Sequence, residues 1–336
     1  MIIKMDWEGK TVLVTGGTGS IGSEIVNQLL KSNVQKVIVF NRDEIKQFSM
    51  KQKIDDPRLQ IFMGDVRDYN TLESVFENDK IDVVFHAAAM KHLVIAEEEP
   101  VECARTNIMG TANLIHLCNK YHVKKTVTIS TDKAALPSSV MGATKFIAER
   151  ITLNGNINSE QKFSCVRFGN VANSRGSVIP IMVERIKNGK NIWITDPNVT
   201  RFLMRIPEAV KFVLNTAEIM DGGEIFILKM KSFKLGDLAE IMEKKVAFLF
   251  NRQIKVEHRG LLDGEKLHED LINDIEINHL FENENLYLVS KNLSYPGFVK
   301  SNAKSYVSSD AEIISLEELE KIVLEYVNSQ SNFPLR

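Results

Sequence analysis

This chain of 336 residues has few cysteines, a small net charge and no long apolar run. The three cysteines, Cys103, Cys118 and Cys165, are far apart and odd in number, so we predict reduced core residues, no disulfide framework and no metal site. No apolar run reaches the length of a membrane span, and residues 1–9 lack a signal-peptide core, so we expect a cytoplasmic protein without a membrane partner. The formal net charge of −2 gives no reason to expect a nucleic acid as a partner.

The chain does have an ordinary globular composition, with 44% hydrophobic and 26% charged residues, and strand and helix patterns alternate in its first half. Short β-branched runs predict buried strands, and apolar residues three and four apart predict helices. This alternation predicts an α/β fold with a Rossmann-type, doubly wound parallel sheet. The predicted strands are Thr11–Thr15, Lys36–Phe40, Leu59–Met63, Ile81–His86, Thr126–Ser130 and Phe163–Phe168, and the predicted helices are Ser23–Lys31, Thr71–Phe76, Val101–Tyr121 and Lys145–Ile151.

A glycine-rich segment, Thr15–Gly22, follows the first predicted strand and opens the first helix. Gly17, Gly19 and Gly22 match the dinucleotide fingerprint, and Gly16 gives the wider spacing used by short-chain dehydrogenases. Glycine permits the tight turn and lets a pyrophosphate approach the backbone, while the helix N-terminus supplies free amides. The segment therefore predicts a dinucleotide cofactor.

The residues after the second strand distinguish NAD from NADP. An acidic side chain there would bond the ribose hydroxyls and repel a 2′-phosphate. This chain instead has Asn41 and Arg42, with Lys46 one helical turn further on, and a guanidinium can hold a phosphate by charge-assisted bonds. We therefore predict NADP rather than NAD. The alternative is that Arg42 is a solvated loop charge. The neighbouring Asp43 is acidic, as NAD-binding proteins require here, so it weakens the distinction between NADP and NAD.

The alternation becomes irregular after residue 170, which suggests a division of the chain. We predict an NADP-binding Rossmann domain over residues 8–170, completed by a late strand at residues 224–228. Residues 171–336 are predicted to form mainly a smaller α/β substrate-binding lobe, interleaved with the last Rossmann elements. In this lobe we expect a helix at Phe233–Leu249, a loop entering another helix across Glu257–Leu271, and a helix to Tyr326 that starts at a capping box, Ser315–Glu318.

Many segments match motifs of one enzyme family, among them Thr15–Gly22, His86–His92, Ser130–Ala134, Gly142–Lys145, Arg167–Val171, Ser174–Pro180, Ile194–Phe202 and Gly264–Glu269. On these motifs the chain resembles the soluble UDP-N-acetylglucosamine 4,6-dehydratases, a branch of the extended short-chain dehydrogenases, over about residues 8–275. The resemblance implies a nucleotide-sugar substrate and a homo-oligomer, with the helices Val101–Tyr121 and Lys145–Ile151 as candidate interface elements.

The resemblance also implies which residues hold the two ligands. Ser177 and Val178 are expected on a loop whose amides can meet phosphate, and Arg201 is expected to bind the diphosphate because a guanidinium matches phosphate geometry. The expected cofactor contacts are Gly16, Thr18, Gly19, Ser20, Ile21, Gly22, Asn41, Arg42, Lys46, Asp65, Val66, Ala87, Ala88, Ala89, Lys91, Asn107, Ser130, Lys145 and Phe168. The expected substrate contacts are Lys91, Asn170, Ser177, Val178, Thr195, Arg201, Arg259 and Glu265.

The reaction of this family oxidises sugar carbon 4, eliminates water across carbons 5 and 6, and returns the hydride to carbon 6, so the cofactor is recycled. Asp132 would protonate the leaving hydroxyl, which needs a raised pKa, and Lys133 would take the carbon 5 proton, which needs a depressed pKa. Lys145 would place positive charge near the reacting oxygen, and Thr131 or Ser130 would hydrogen-bond the carbon 4 oxygen. The alternative is that Asp132 and Lys133 form a simple ion pair.

One departure from the family pattern affects the proton path. Met141 stands where short-chain dehydrogenases usually have a tyrosine, and a thioether cannot act as an acid or a base. The proton of the carbon 4 hydroxyl must therefore pass to Asp132, to Lys133, or to a water linked to Thr131 and Lys145.

A second departure affects nucleotide binding. Leu262 stands where the family usually has an arginine, so Arg259 or Arg205 would have to replace a phosphate ligand. Two other functions stay open. One is a nucleotide-sugar epimerase or reductase on the same scaffold, although the missing tyrosine at position 141 argues against both. The other is a non-catalytic NADP-binding scaffold, which Met141 and Leu262 suggest.

Overall fold

The computed structural model describes residues 6–156 and 160–330. Its strands are β1 (Thr11–Thr15), β2 (Lys36–Asn41), β3 (Leu59–Met63), β4 (Val83–His86), β5 (Lys125–Ile129), β6 (Lys162–Arg167), β7 (Asn170–Val171), β8 (Ile192–Ile194), β9 (Thr200–Met204), β10 (Ile225–Leu228), β11 (Lys231–Lys234), β12 (Val256–His258), β13 (Leu280–Glu282), β14 (Leu286–Val289) and β15 (Val299–Lys300). Its α-helices are α1 (Ser20–Leu30), α2 (Glu44–Lys53), α3 (Tyr69–Asn78), α4 (Leu93–Glu98), α5 (Pro100–Ala104), α6 (Gly110–Lys120), α7 (Val140–Asn154), α8 (Val178–Lys187), α9 (Ile206–Ile219), α10 (Leu235–Ile241), α11 (Ala247–Leu249) and α12 (Leu316–Gln330).

A 10-stranded sheet with the order β15-β13-β14-β10-β6-β5-β4-β1-β2-β3 organises the chain. The strands from β10 to β3 are parallel, whereas β14, β13 and β15 are added antiparallel at one edge. The order reverses between β1 and β4, and ligands of open α/β sheets bind at such a switch point. The expected Rossmann-type, doubly wound fold is confirmed.

Helices cover both faces of this sheet. On one face α1 and α9 contribute apolar residues such as Ile25, Leu29 and Val213 to the core. On the other face α3 and α6 contribute Leu72 and Leu114 among others. Because both faces are buried, the interiors of β1, β2 and β4 are continuous apolar runs, whereas β5 and β6 also bury polar residues such as Thr126, Thr128 and Ser164. No helix of the described residues is long and apolar enough to cross a membrane.

The second lobe consists of β7, β8, β9, β11 and β12, helices α8, α10 and α12, and the loop over residues 264–269. It has its own apolar core and two small sheets. β11, β9 and β7 form one sheet, and β12 pairs with β8 in the other. Helices α8, α10 and α12 pack over them through residues such as Val183, Leu238 and Val323. All three cysteines of the chain are free and buried, as predicted.

Most predicted elements of the first half exist, with ends that differ by a few residues. The long helix predicted at Val101–Tyr121 is continuous, but its middle, Arg105–Met109, is a π-helix between α5 and α6. Such a bulge redirects the side chains of one turn, which the apolar spacing of the sequence does not reveal.

The second lobe contains the wrong predictions. Glu257–Leu271 leads into no helix: β12 is followed by loop up to a 3₁₀ turn at Glu276–His279, and Gly260 and Gly264 have positive φ, which a helix does not accommodate. Phe233 belongs to β11 and is buried there, so the predicted helix begins at Leu235.

Two smaller predictions for the same lobe need adjustment. Val178 is the first residue of α8 and not part of a loop. Only half of the predicted capping box forms: Ser315 Oγ accepts from the Glu318 amide at 3.2 Å, while the Glu318 carboxylate pairs with Lys231.

Candidate active site

The loops at the carboxyl ends of the parallel strands build the candidate site. The glycine-rich loop follows β1, residues 87–92 follow β4, residues 130–134 follow β5, and residues 168–169 lie between β6 and β7. These strands are neighbours in the sheet, so their carboxyl ends bring the four loops together at one edge. The site therefore lies where the fold predicts a ligand.

The glycine-rich loop needs its glycines for close packing. Gly16 has a φ of +68°, and a Cβ there would lie 2.7 Å from the Ala88 amide nitrogen. A Cβ at Gly22 would overlap the Gly16 carbonyl oxygen. Gly19 is the N-cap of α1 and has no side chain with which to cap it, so the amides of the first turn are available to an anion.

A cavity of about 260 Å³ lies beside this loop. It brings together many of the residues predicted to contact the cofactor: Gly16, Thr18, Gly19, Asn41, Arg42, Lys46, Asp65, Val66, Ala87, Ala88 and Ala89. Its wall also contains Phe40, Asp43, Gly64 and Thr106, which sequence reasoning missed. Gly64 directly precedes Asp65 and Val66, two predicted cofactor contacts, and this position could have indicated it; a Cβ there would lie 2.7 Å from Thr71 Cγ2.

Two cations at the far end of the cavity face carboxylates. Arg42 lies 3.2 Å from Asp65, and Lys46 lies 2.5 Å from Asp43, which is also the N-cap of α2. The hydrogen bond from Lys46 lowers the pKa of Asp43, so this carboxylate stays charged. The side chains of Arg42 and Lys46 remain 54% and 47% exposed, which leaves both accessible to an additional anion.

Two residues that were predicted to contact the cofactor, Asn107 and Phe168, have side chains that contact other parts of the protein. Asn107 is buried, accepts from the Met90 amide at 2.8 Å and donates to Thr144 Oγ1 at 2.9 Å, so it ties the loop after β4 to α7. Phe168 is buried in the core edge-on to Phe212. Both side chains thus pack within the protein in this structure, and their contact with a cofactor stays a prediction.

Arg175 was not predicted to lie at the site, although it belongs to the family motif Ser174–Pro180. Its amide donates to Ser20 Oγ at 3.0 Å and its guanidinium to the Thr18 carbonyl, so it crosses from the second lobe to the glycine-rich loop. Its own carbonyl accepts from Lys91 Nζ at 2.7 Å. Burial lowers the pKa of Lys91, and the nearby charge of Arg175 adds to that effect.

Asp132 lies at the centre of a hydrogen-bonded cluster after β5. Its side chain is 1% exposed, and Oδ1 accepts from Thr131 Oγ1 at 2.7 Å and from Lys133 Nζ at 3.1 Å. Within residues 6–156 and 160–330, Oδ2 has no hydrogen-bond partner, and neither does the buried Ser130 Oγ. A buried polar atom without a partner is costly, which marks these two oxygens as candidates for substrate contact.

The charge state of Lys133 differs from the expectation. Burial by itself lowers the pKa of Lys133, but the carboxylates of Asp132 and Glu269 outweigh burial and raise it. Glu269 Oε1 lies 3.1 Å from Lys133 Nζ and was not predicted. Lys133 is therefore an ammonium ion in this structure, and the expected depressed pKa is wrong.

Lys145 and Met141 are both on α7. Lys145 Nζ donates to the Ile129 carbonyl at 2.6 Å, and burial lowers its pKa. Met141 is buried against Ala96 and Cys103 in a small apolar cluster. The thioether at the position of the usual tyrosine is therefore a packing residue.

The predicted substrate residues of the second lobe mostly bind one another. The Arg201 guanidinium contacts Glu265 at 2.8 Å and the Leu267 carbonyl at 3.2 Å, and Thr195 Oγ1 donates to Glu265 at 3.2 Å. Arg201 is buried and anchors the loop over residues 264–269 in this structure, so its role as a diphosphate ligand stays a prediction.

The remaining candidates lie at the surface of the lobe. Arg259 is over the Trp193 ring at 5.0 Å and pairs with Glu257, whereas Arg205 pairs with Glu325 of α12. Asn170 and Ser177 are half-buried on either side of the loop that carries Arg175. In the described residues, no His, Cys, Asp or Glu cluster could hold a metal ion.

Sequence comparison then decides the family. The profile of the family described as "Polysaccharide biosynthesis protein" matches residues 12–291, which include both the glycine-rich loop and the cluster around Asp132. The chain belongs to this family. A Campylobacter jejuni protein named UDP-N-acetylglucosamine 4,6-dehydratase (inverting) is 40% identical, over 85% of this chain and 84% of its own length. The resemblance found in the sequence is confirmed.

Other similar proteins carry different names. An uncharacterized membrane protein of Methanocaldococcus jannaschii is 44% identical over 95% of this chain and 96% of its own. A Rickettsia bellii protein named UDP-glucose 4-epimerase is 33% identical over 96% of this chain and 98% of its own. The X-ray structure of Pen from Bacillus thuringiensis superposes with a TM-score of 0.90 at 38% identity, over 96% of this chain and 99% of that one. This chain thus shares its fold with that structure over nearly its full length.

Proposed function

We propose that this chain is a nucleotide-sugar 4,6-dehydratase that converts UDP-N-acetylglucosamine to a UDP-2-acetamido-2,6-dideoxy-4-hexulose. The buried Thr131–Asp132–Lys133 cluster carries the proposal, because water elimination needs one group that gives a proton and another that takes one. The name of the 40% identical Campylobacter protein supports this sugar and inversion at carbon 5.

The cofactor in this proposal is NADP. The amides at the start of α1 would hold the pyrophosphate, and Arg42 and Lys46 would exchange carboxylate partners for the 2′-phosphate. The residues around the glycine-rich loop would hold this cofactor, whose nicotinamide would supply reversible hydride transfer for the sugar. The side chain of Arg175 lies over the same loop and would confine the pyrophosphate.

Thr131 and Asp132 offer a path for the proton of the carbon 4 hydroxyl. Thr131 Oγ1 already donates its hydrogen to Asp132 Oδ1, so it can accept from the sugar hydroxyl and pass a proton on to the carboxylate. Asp132 then carries the proton that the carbon 6 hydroxyl needs in order to leave as water. This path needs no tyrosine, which accounts for the packing role of Met141.

Lys145 acts on the carbon 4 oxygen while carbon 4 is oxidised. Its ammonium group at the end of β5 stabilises negative charge that develops on the carbon 4 oxygen. The unpartnered Ser130 Oγ is the second candidate donor to that oxygen. Lys133 can accept the carbon 5 proton only after losing its own.

The test is a reaction of purified protein with UDP-, GDP-, dTDP- and CDP-sugars in deuterated water, read by NMR. We expect a 4-keto-6-deoxy product from UDP-N-acetylglucosamine, with deuterium at carbon 5 and no net cofactor consumption. Asp132→Asn should reduce water loss by about 10²- to 10⁴-fold and keep cofactor binding. Asp221→Asn, which removes an exposed carboxylate paired with Lys162, is the control. A fully active Asp132→Asn variant would contradict the assignment of the acid.

A 4-epimerase is the second candidate function, because a relative at 33% identity bears that name. An epimerase returns the hydride to carbon 4 and leaves the carbon 6 hydroxyl in place. The same NMR experiment distinguishes the two, since inversion at carbon 4 alone, without deuterium at carbon 5, indicates the epimerase. Tight cofactor binding without any turnover across the panel would instead indicate a non-catalytic scaffold.

A further inference from the structure

Glu269 is a buried carboxylate that the proposed proton steps leave without a role. Its backbone is fixed on both sides by Ser308, whose hydroxyl accepts from the Glu269 amide at 2.9 Å and whose amide donates to the Glu269 carbonyl at 2.9 Å. The Glu269 side chain is 4% exposed. A carboxylate held this firmly in a buried site must have a partner that offsets the cost of burial.

That partner is Lys133. Glu269 Oε1 lies 3.1 Å from Lys133 Nζ, and the next cation, Arg201, has its Nε 3.8 Å from the same oxygen. Arg201 has a closer carboxylate of its own, Glu265 at 2.8 Å. Glu269 is therefore not needed to neutralise Arg201.

The hydrogen bonds form one continuous chain. Thr131 Oγ1 contacts Asp132 Oδ1 at 2.7 Å, this oxygen contacts Lys133 Nζ at 3.1 Å, and Lys133 Nζ contacts Glu269 Oε1 at 3.1 Å. Thr131 is at one end of this chain of contacts, and Glu269, which follows β12 in the second lobe, is at the other. The charged groups that face Lys133 are Asp132, Glu269 and, further away, Arg201.

We propose that Glu269 is a positioning residue that holds Lys133 against Asp132 and takes up the Lys133 proton during the elimination. This inference rests on the proposed dehydratase function. The loop over residues 264–269 thereby contributes to the chemistry, and not only to substrate binding.

The proton balance is complete without any further reactant. When Asp132 receives the proton of the carbon 4 hydroxyl, one N–H bond of the Lys133 ammonium breaks and an O–H bond forms on Glu269. Neutral Lys133 then takes the carbon 5 proton while Asp132 gives its proton to the leaving hydroxyl. After the hydride reaches carbon 6, the water released by the elimination protonates carbon 5 on the face opposite Lys133, as inversion requires, and Glu269 returns its proton to that water. Lys133 keeps the original carbon 5 proton and is again an ammonium ion.

The structure explains why the first transfer occurs only at this stage. Two carboxylates raise the pKa of Lys133 in the free protein. Protonation of Asp132 removes one of these negative charges, and the entering sugar displaces solvent from a group whose side chain is only 17% exposed. Both changes favour the neutral amine beside a protonated carboxyl.

The experiment compares Glu269→Gln, Glu269→Asp and the control Asp270→Asn. Asp270 is the adjacent acidic residue, but its carboxylate pairs with Lys266 at 2.9 Å and not with Lys133. We expect Glu269→Gln to lower kcat at neutral pH by about 10²-fold with little change in KM. Its kcat should then rise with pH, because the solvent takes the proton that Glu269 cannot. The wild type, Glu269→Asp and Asp270→Asn should lack this rise.

A second measurement does not depend on activity. Competitive labelling with an amine-reactive reagent across pH, followed by peptide mass spectrometry, reports the pH at which Lys133 becomes a free amine. Removing one facing carboxylate should move this midpoint down by about one pH unit or more in Glu269→Gln. Asp270→Asn should keep the wild-type midpoint.

These measurements distinguish a failure of the dehydratase proposal from a failure of the proposed role of Glu269. If the wild type gives no product from the nucleotide-sugar panel, the dehydratase proposal fails, and the role of Glu269 in elimination fails with it even if the labelling midpoint shifts. If the wild type is active but Glu269→Gln matches it in kcat, pH profile and labelling midpoint, the role of Glu269 is overturned while the dehydratase stands.

Discussion

His86 makes the stability of this protein sensitive to mild acid. The side chain lies at the end of β4 and is 1% exposed, with Thr15 Oγ1 2.7 Å from Nδ1 and Thr111 Oγ1 3.0 Å from Nε2. Thr111 donates its only hydroxyl hydrogen to the Asn107 carbonyl, so it must accept from His86. The ring is therefore neutral, with its proton on Nε2 and its Nδ1 accepting from Thr15.

Burial, with a smaller effect from the charge of Lys145, lowers the pKa of His86 to about 3. In the unfolded chain the pKa of a histidine is about 6.5. Between these two values the unfolded state binds a proton that the folded state does not, so stability falls as the pH falls. The slope is about 1.4 kcal/mol per pH unit, and the loss between pH 7.5 and 5.5 is about 1.4 kcal/mol. This magnitude depends only on a folded-state pKa well below 5.5.

The assay is urea denaturation of wild type and His86→Gln at pH 7.5 and 5.5. Glutamine can still accept from one hydroxyl and donate to the other, but it does not titrate. The variant will be less stable at pH 7.5, yet its loss on acidification should be smaller than that of the wild type by about 1.4 kcal/mol. His258→Gln, at an exposed position, should keep the wild-type loss. Equal losses in wild type and His86→Gln would refute the reasoning.

Two further substitutions test the core and the cofactor site. Arg167 is fully buried between Glu149 and Glu276, with each carboxylate within 2.7 Å, so Arg167→Met should cost about 3–5 kcal/mol of unfolding free energy in urea. Lys244→Met, which breaks an exposed i,i+4 pair, should cost about 0.5 kcal/mol or less, and equal costs would contradict the burial argument. Arg42→Ala should raise the Kd for NADP by about 10- to 100-fold and leave the Kd for NAD nearly unchanged, measured by calorimetry; an unchanged ratio identifies Arg42 as a solvated charge.

Local patterns predicted the Rossmann half well for a simple reason. Its strands are buried on both faces and its helices are amphipathic, so each element has a signature within its own residues. Gly16 in the turn and Gly22 in α1 are glycines that the sequence shows directly, and close backbone packing around the loop requires both of them. The π-helical turn at Arg105–Met109 is an exception, because hydrogen bonds and not composition decide it.

The second lobe was harder to predict because distant residues decide its structure. Phe233 is in a strand because it pairs opposite Arg201 of β9, although its apolar spacing fits a helix. The segment after β12 is a loop because Arg201 holds the carbonyls of Lys266 and Leu267. Neither partner is visible within a local window of sequence.

In the candidate site, too, local sequence predicted some features, and contacts between distant residues decided the others. Thr131, Asp132, Lys133 and Lys145 could be nominated from sequence, because chain order alone places them after the fifth strand and on the following helix. Whether Lys133 is charged, and that Glu269 faces it, depends on two segments that meet only after folding. The sequence by itself determined the sheet, the glycine-rich loop and the family. The tertiary structure decided the protonation states and the internal role of Arg201, because burial and long-range charge pairs set both.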